Sequence, residues 1–572
     1  MNPENAIELG TWDGHDAGAA VCVGGRLVAA MSEERLTRVK KQAGWPRRSI
    51  DAVMALAGVG PRDIAKVGLA GTTGRLPARL LARRFEARPP QQEDPLAWPA
   101  RLYAAYQNGP AGIAALAAVE RVGSLRIARR RLAEIGIKAP VHLVDHHRAH
   151  ALGGVAAVAG IPEVHERRGE QALIVTMDGY GDKISTAAWR SSRGRLELLQ
   201  ADGAASSVAL LYGALTRLLG FSPGEEGKVT GLAGACDVPD AAQLDIDLHA
   251  FIEQAGGRIH VRRRHAIAAM RKALRSGIPP EHLAAALQNA LDRAVVGFIH
   301  HHAAATGLRD VAVAGGLFAN VVVNGRLAAM CGDGKPLRSF TVFGAMGDQG
   351  LCAGAAWHVG WPARPVVGDL RIGVPAGSIG GAASRSGGEQ ASAAAVVERL
   401  EAGQLVGVCR GRLEFGPRAL GNRSILFDPR RNDLAATLGR RLKRPSIMPF
   451  APILRAADWA RLFDQPYATV ARSTAAMTLA LPLRSDAPAI PAASHVDGTA
   501  RPQTIDRATD PWLHDVLDLW HQRTGCPALV NTSLNRHREP ICATASDALA
   551  AAEATGLDAI VIGATLFDLR SR

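Results

Sequence analysis

IELGTWDGHDAGAAVCVGGRLVAAMSEER, residues 7–35, decides the fold of this chain. Its short apolar runs break at glycine where a chain must reverse, once in WDGHDAG and again at Gly24 and Gly25. Runs of this kind bounded by glycine turns read as strands. The stretch therefore predicts a three-stranded β-meander that runs into Ser32, Glu33 and Glu34. His15 and Asp16 fall in the first turn, where the backbone N–H groups of Gly14 and Gly18 can face a ligand. A loop histidine titrates near neutrality and suits a general base. A merely exposed turn histidine would look the same.

From the meander to about residue 365, apolar runs ending in Gly or Asp alternate with long alanine-rich helical stretches, the rhythm of an α/β unit. DVAVAGG (310–316) is a strand leading into LFANVVVNGRLAAM (317–330), a glycine turn followed by a helix, which lets backbone amides approach a phosphate or ribose. With the opening meander and the hairpin MDGYGD (177–182), it forms a set of glycine-bearing loops expected of a two-lobed actin-like, ribonuclease H-like ATPase fold. The segment GFSPGEEGKVTGLAG (220–234) offers Glu225, Glu226 and Lys228 to a nucleotide or acceptor cleft, or else holds an ordinary exposed ion pair worth little. No internal repeat of fixed period is evident.

VHLVDHHRAHALGGVAAVAG (141–160) predicts a strand, Asp145 as N-cap, and a helix with His146 and His150 one turn apart on one face. Two imidazoles so placed suit a first-row metal, although a polar helix face would also carry them. His147 should point elsewhere, to a supporting partner or to solvent. Asp178 in MDGYGD and Asp348 in GAMGDQG stand where strands give way to loops and would complete a mixed N/O site for iron, manganese or zinc. His300, His301 and His302 are consecutive, cannot share a helix face, and read as surface residues.

After WHVGWPARPVVGDL (357–370) comes a Gly/Ser/Ala-rich stretch that reads as a linker over 366–390, and a second α/β unit is expected over 391–572. It opens with a helix, AAAVVERLEAG, and a strand, LVGVCR, and then reaches GRLEFGPRALGNRSILFD (411–428). Arg412, Arg418 and Arg423 there, with fixed Gly416, Pro417, Gly421 and Asn422, look built to hold an anion, because arginine offers the planar fork that matches phosphate, although a structural turn would carry the same residues.

Composition limits the alternatives. At 572 residues the chain is too long for one core. The polar opening lacks the apolar core of a signal peptide, no run suits a membrane span, and a cytoplasmic protein is expected. Its 7 cysteines are scattered without a CxxC pair, against a disulfide framework or zinc ribbon. The net charge of +14 comes from arginine clusters, yet only 5% of residues are aromatic and none interleave with the arginines, so nucleic acid is not the expected partner.

The ordered set HDAGAA, SEERLTRVKK, DHHRAHA, MDGYGD, GKVTGLA, AGGLFAN, GDQG, EFGPRALGNRSIL, HVDGTARPQT and NTSLN resembles the O-carbamoyltransferases of nodulation-factor and antibiotic biosynthesis, from about residue 7 to residue 565. The resemblance implies an N-terminal domain over 1–365 similar to the universal tRNA threonylcarbamoyl transferase and a C-terminal YrdC-like domain over 391–572. It implies that carbamoyl phosphate and ATP, with Mg2+, become carbamoyladenylate, whose carbamoyl group passes to the hydroxyl of a small-molecule acceptor. Carried across, Arg418, Arg423, Lys443, Arg501, Asn531 and Ser533 would bind carbamoyl phosphate and ATP; His146, His150, Asp178 and Asp348 would hold a metal, iron as Fe(II); Gly179, Lys228, Gly315, Gly316 and Asn320 would bind carbamoyladenylate; His15, oriented by Asp16, would be the general base.

This chain departs from the family's pattern at Met448, where an arginine usually precedes PFAP, so that one anion contact is missing or is taken over by Arg444. Arg538 replaces a common glycine in NTSLNRHREP. The rival readings are a tRNA-modifying relative and a non-catalytic nucleotide-binding module. The region from about residue 70 to 135, with Trp98, Tyr103 and Tyr106, is expected either to face the acceptor or to form a homodimer surface.

Overall fold

The computed structural model describes residues 5–73, 79, 113–159, 171–192, 195–236, 246–361, 363–377, 388–445 and 447–570. Trp98, Tyr103 and Tyr106 lie outside the described residues.

The opening meander forms as the glycine spacing requires: β1 (Ile7–Trp12), β2 (Gly18–Val23) and β3 (Arg26–Ser32) are antiparallel neighbours, and β4 (Lys66–Ala70) and β5 (Val141–Val144) add in parallel on the other side of β1. The resulting order is β3-β2-β1-β4-β5. A second sheet repeats this plan. Its meander is β6 (Ala172–Gly181), β7 (Ile184–Ser192) and β8 (Arg195–Gly203); a separate hairpin, β9 (Ile252–Ala255) and β10 (Arg258–Val261), precedes the parallel strands β11 (Asp310–Ala314) and β12 (Ser339–Val342). The order β12-β11-β6-β7-β8 is the first plan again, strand for strand. The repeat is one of topology, which is why no period shows in the residues.

Each sheet ends in a helix that crosses to the other. His146–Ala159, after β5, packs on β6 and β11, whereas Leu351–Gly360, after β12, packs on β1 and β4. The two helices also pack on each other, and small residues make this possible: a Cβ on Gly354 would lie 2.1 Å from the carbonyl oxygen of Ala149, and one on Gly10 would lie 1.9 Å from that of Cys352. The contact is apolar and closed to water, with Leu152, Ala156, Leu351 and Ala355 fully buried.

Glu8 on β1 is an exception to the apolar pattern. It is 2% exposed, a Cβ on Gly360 would lie 3.0 Å from its carboxyl carbon, and burial, offset in part by Lys66, raises its pKa to about 7. An acid with a raised folded-state pKa contributes a penalty that is absent below the unfolded value and fully present above the folded one. Glu8→Gln should therefore stabilise the protein at pH 8, by on the order of 2 kcal/mol, and change little at pH 5. Thermal melts at the two pH values check this, and equal shifts at both would refute it.

The C-terminal unit is built on an eight-stranded mixed sheet. Val406–Cys409 runs parallel to Ala559–Ile562 and antiparallel to Arg423–Phe427, which pairs in turn with Ala528–Ser533 and, beyond it, with Ala451–Arg455. Within 366–390, Arg371–Pro375 is itself a strand paired with Arg412–Glu414, and Val366 bridges to Arg26. One surface assignment needs correction. In the helix Pro280–Thr306, His300 and His301 are exposed, but His302 is buried and its Nε2 lies 3.0 Å from the carbonyl oxygen of Gly257, because a 27-residue helix turns any three consecutive positions onto different faces.

Candidate active site

The four predicted metal ligands converge. The helix His146–Ala159 starts at Asp145, whose carboxylate accepts the Arg148 amide, and so presents His146 and His150 on one face toward Asp178 of β6 and Asp348 at the start of the 3-10 turn Asp348–Gly350. His146 Nε2 is 3.0 Å from Asp178 and 3.6 Å from Asp348; His150 Nε2 is 3.3 Å and 3.6 Å from the same carboxylates. All four ligand atoms lie within 4.8 Å of one another. Donors bound about 2.1 Å from one ion stand roughly 3.0–3.4 Å apart, so these side chains fit a first-row cation with little movement. Glycines make room: a Cβ on Gly181 would lie 2.1 Å from the His146 ring, and one on Gly316 would lie 2.8 Å from Asp178 Oδ1.

Hydrogen bonds between the imidazoles and Asp178 knit these side chains together. Burial alone would lower the pKa of His150, but hydrogen bonds to Asp178 and Asp348 prevail and raise it to about 9. Burial would likewise raise Asp178, yet its bonds to both histidines hold it well below the usual range. His147 is buried rather than solvent-facing, with Nδ1 2.9 Å from Thr176 and Nε2 2.9 Å from the Ile184 carbonyl. Burial drives its pKa down to about 3, which keeps a neutral wedge beside a charged pair.

Asp182, inside MDGYGD but overlooked in the sequence, ties this site together. Its carboxylate accepts the amides of Thr72 and Thr73 after β4 and, at 2.8 Å, the amide of His146. One carboxylate thus joins the two repeats at the N-terminus of the ligand helix, where negative charge is favoured. Asp182→Ala should weaken cation binding about 10- to 100-fold, as for other groups that orient a ligand. Titration with Mn(II) followed by its spin-resonance signal checks this, and unchanged affinity would refute it.

His15 reaches the same centre. Its side chain is surrounded by protein yet 66% exposed, as expected on a cleft wall, with Nδ1 3.1 Å from Asp16 and Nε2 3.3 Å from Asp348. Asp348 above all, and Asp16 next to it, raise its pKa to about 9 against burial. The glycine loops divide. Gly179 donates its amide to Asp178 and Gly316 abuts that carboxylate, whereas the Gly315 amide is taken by the Met346 carbonyl. Asn320 caps the helix Val321–Ala328 through Val322 and Val323 and donates to Gln288, so it acts as a cap. Lys228 pairs with Glu225 at 2.7 Å.

In the C-terminal unit a second cluster forms around Arg418, Arg444 and Arg501. These side chains are deeply surrounded by protein but not sealed from solvent, the mark of a concave site. Burial first, and then Arg418, lower Arg444 to about 10; burial, Arg418 and Arg444 push Arg501 well below its ordinary value. His495, in the quoted motif HVDGTARPQT but not singled out, joins them and is held at about 4 by burial and by Arg501 and Arg444. Among the described residues no carboxylate makes an ion pair with Arg418, Arg444 or Arg501. Mutually repelling cations without a counterion are arranged as an anion would require.

Sequence comparison decides the family. The family model described as Carbamoyltransferase N-terminus matches residues 9–357, and that described as Carbamoyltransferase C-terminus matches 397–568. The chain belongs to the carbamoyltransferase family. It is 31% identical to Nodulation protein NolNO of Sinorhizobium fredii over 99% of this chain and 81% of that protein. It is 32% identical to the 3'-hydroxymethylcephem-O-carbamoyltransferase of Streptomyces clavuligerus over 30% of this chain and 32% of that one. Among solved structures, T. kodakarensis HypF overlaps 63% of this chain and 48% of its own at 14% identity and a TM-score of 0.35, too loose a likeness to carry an argument.

This carbamoyltransferase redistributes several residues expected at its anion pocket. Arg423 is fully buried and directs its guanidinium to the carbonyls of Ala543, Arg410, Asn422 and Val374, which leaves no N–H for a phosphate. It is a structural arginine that pins strand to loop. Lys443 is exposed at a φ of 49°, and its charge acts on His537. Asn531 is buried, donating to Ala419 and Gln503 from the strand that also carries Ser533. The Met448 departure has a physical reason. Its side chain fills a groove of the helix Glu226–Gly234, where a Cβ on Gly231 would lie 3.3 Å from Met448 Cγ, while its carbonyl and that of Pro449 each accept from Arg444 at 2.6 Å. Met448 thus joins the two units and aims Arg444 at Arg418. Arg538, at a φ of 64°, keeps the left-handed turn that glycine would make without strain.

Proposed function

We propose that the protein is an ATP-dependent O-carbamoyltransferase whose two clusters divide the reaction between them. The C-terminal unit, read as YrdC-like, binds carbamoyl phosphate and ATP with Mg2+ at Arg418, Arg444 and Arg501. Water cleaves carbamoyl phosphate to carbamate and phosphate, the carbamate oxygen attacks the α-phosphorus of ATP, and pyrophosphate leaves, giving carbamoyladenylate. The observation that supports this reading is the arginine cluster without a counterion in a chain of this family. Such a cluster offsets the repulsion between two polyanionic substrates.

Transfer then belongs to the N-terminal cleft. His146, His150, Asp178 and Asp348 would hold the cation, proposed as Fe(II), which would supply positive charge beside Asp348 and His15 as transfer proceeds. His15 Nε2 takes the proton of the acceptor hydroxyl, and Asp16 holds Nδ1–H so that this nitrogen stays in the basic tautomer. The hydroxyl oxygen bonds to the carbamoyl carbon and AMP departs. The acceptor is proposed to be a natural-product or glycoside hydroxyl, and the reaction cytoplasmic; no described helix is long and apolar enough to cross a membrane.

Carbamoyl phosphate-dependent release of pyrophosphate from ATP, with Fe(II) present and no acceptor, tests the first half. Release is expected from the wild type. A folded protein that releases none would overturn the adenylating role.

A further inference from the structure

The catalytic turn and the anion loop lie in different units, yet the helix beside the turn sends one buried side chain to the loop. Arg35, on the short helix Glu33–Thr37 that follows the opening meander, is 4% exposed. Its Nη2 donates to the carbonyl of Gly416 at 2.9 Å, two residues before Arg418. On the other side of Gly416, whose φ is 117°, a Cβ would lie 2.9 Å from the carbonyl oxygen of Gly344, in the segment leading to Asp348. The anion loop is thus gripped between Arg35 and the backbone that carries a metal ligand. The helix that carries Arg35 is bound to the His15–Asp16 turn, the Glu33 amide donating to the Ala17 carbonyl at 2.8 Å, and after His15 and Lys41 the Arg35 charge adds to the field that holds Asp16 ionised. Arg35 Nη1 is buried without a partner. Its Nε lies 3.7 Å from the Glu34 carboxylate, so the charge is paired, but a buried donor left unused is a cost that packing alone does not explain.

We infer that Arg35 is a positioning residue that latches the Gly416–Arg418 loop to the His15–Asp16 turn, so that the anion pocket is fully formed only while the two units are joined. Its neighbour Arg38 makes a different connection, to the carbonyls of Pro540 and Ile541, and does not touch the anion loop. That contrast separates positioning from simple adhesion between the units. The inference rests on the proposed adenylating reaction for its kinetic consequence but not for its structural one.

The test therefore has two arms on the full chain. In hydrogen exchange without substrates, Arg35→Met should speed exchange at residues 415–421 at least about tenfold, while Arg38→Met should not. In pyrophosphate release, Arg35→Met should raise KM for carbamoyl phosphate about tenfold or more, with KM for ATP and the Tm close to those of Arg38→Met. Arg35→Lys keeps the charge but loses the fork, should fall between, and decides the matter if the methionine variant does not fold. Unchanged exchange at 415–421, or equal effects from the Arg35 and Arg38 variants, would overturn the latch. Absence of turnover in the wild type would overturn the functional reading instead, leaving the exchange arm to judge Arg35.

Discussion

His150→Ala is expected to lose its cation and its transfer activity together. His150 supplies one of four ligand atoms and is closed to solvent, so no water-exposed group can swing in to replace it. The affinity loss should exceed the roughly 100-fold upper range for groups that only orient a ligand. Because its pKa stands at about 9 in the cation-free site, a proton must leave when a cation enters. Apparent affinity of the wild type should accordingly rise about tenfold per pH unit between about pH 6 and 8, and this slope should flatten in the variant. Metal content after dialysis, with Mn(II) titrations at several pH values, measures both. Retention of the ion by His150→Ala would remove these residues from the metal site.

Arg501→Met should separate function from stability. In the free protein Arg501 is repelled by Arg418 and Arg444 in surroundings that desolvate all three, so its removal relieves a cost. Replacing a buried charge by an apolar side chain of similar length is often stabilising by about 1–4 kcal/mol when no partner charge is stranded. The variant should melt higher. Its KM for carbamoyl phosphate should rise about 10- to 150-fold, the equivalent of one lost charge-assisted hydrogen bond. A lower Tm, or an unchanged KM, would show that the cluster is not held in tension for an anion.

Much of this site could be read from local pattern. The i, i+4 histidines, the carboxylates at strand ends and the turn that bears His15 all follow from spacings a single segment reveals, and the structure brings them together. The failures share a cause. Arg418 and Arg423 look alike in sequence, but one stands close enough to Arg444 and Arg501 to repel them and the other is wrapped in backbone carbonyls; only tertiary contacts from residues 374, 410 and 543 decide which. Lys443 and Arg444 are adjacent, and the carbonyls of Met448 and Pro449 select the arginine. Asp182 and Arg35 went unnoticed because each bonds to backbone far away in sequence, which leaves no pattern around it.

The crossed helices between the two repeated sheets have one more consequence. Three of the four candidate ligands sit at the N-terminal ends of that helix pair, His146 and His150 on one and Asp348 just before the other, with Asp178 beside them on β6. When one body turns against another, points at the pivot travel least and points at the rim travel most. A rocking of either sheet about this pair would widen or narrow the outer cleft while leaving the four ligand distances almost constant. The molecule can thus open for a bulky guest without disturbing its candidate metal site.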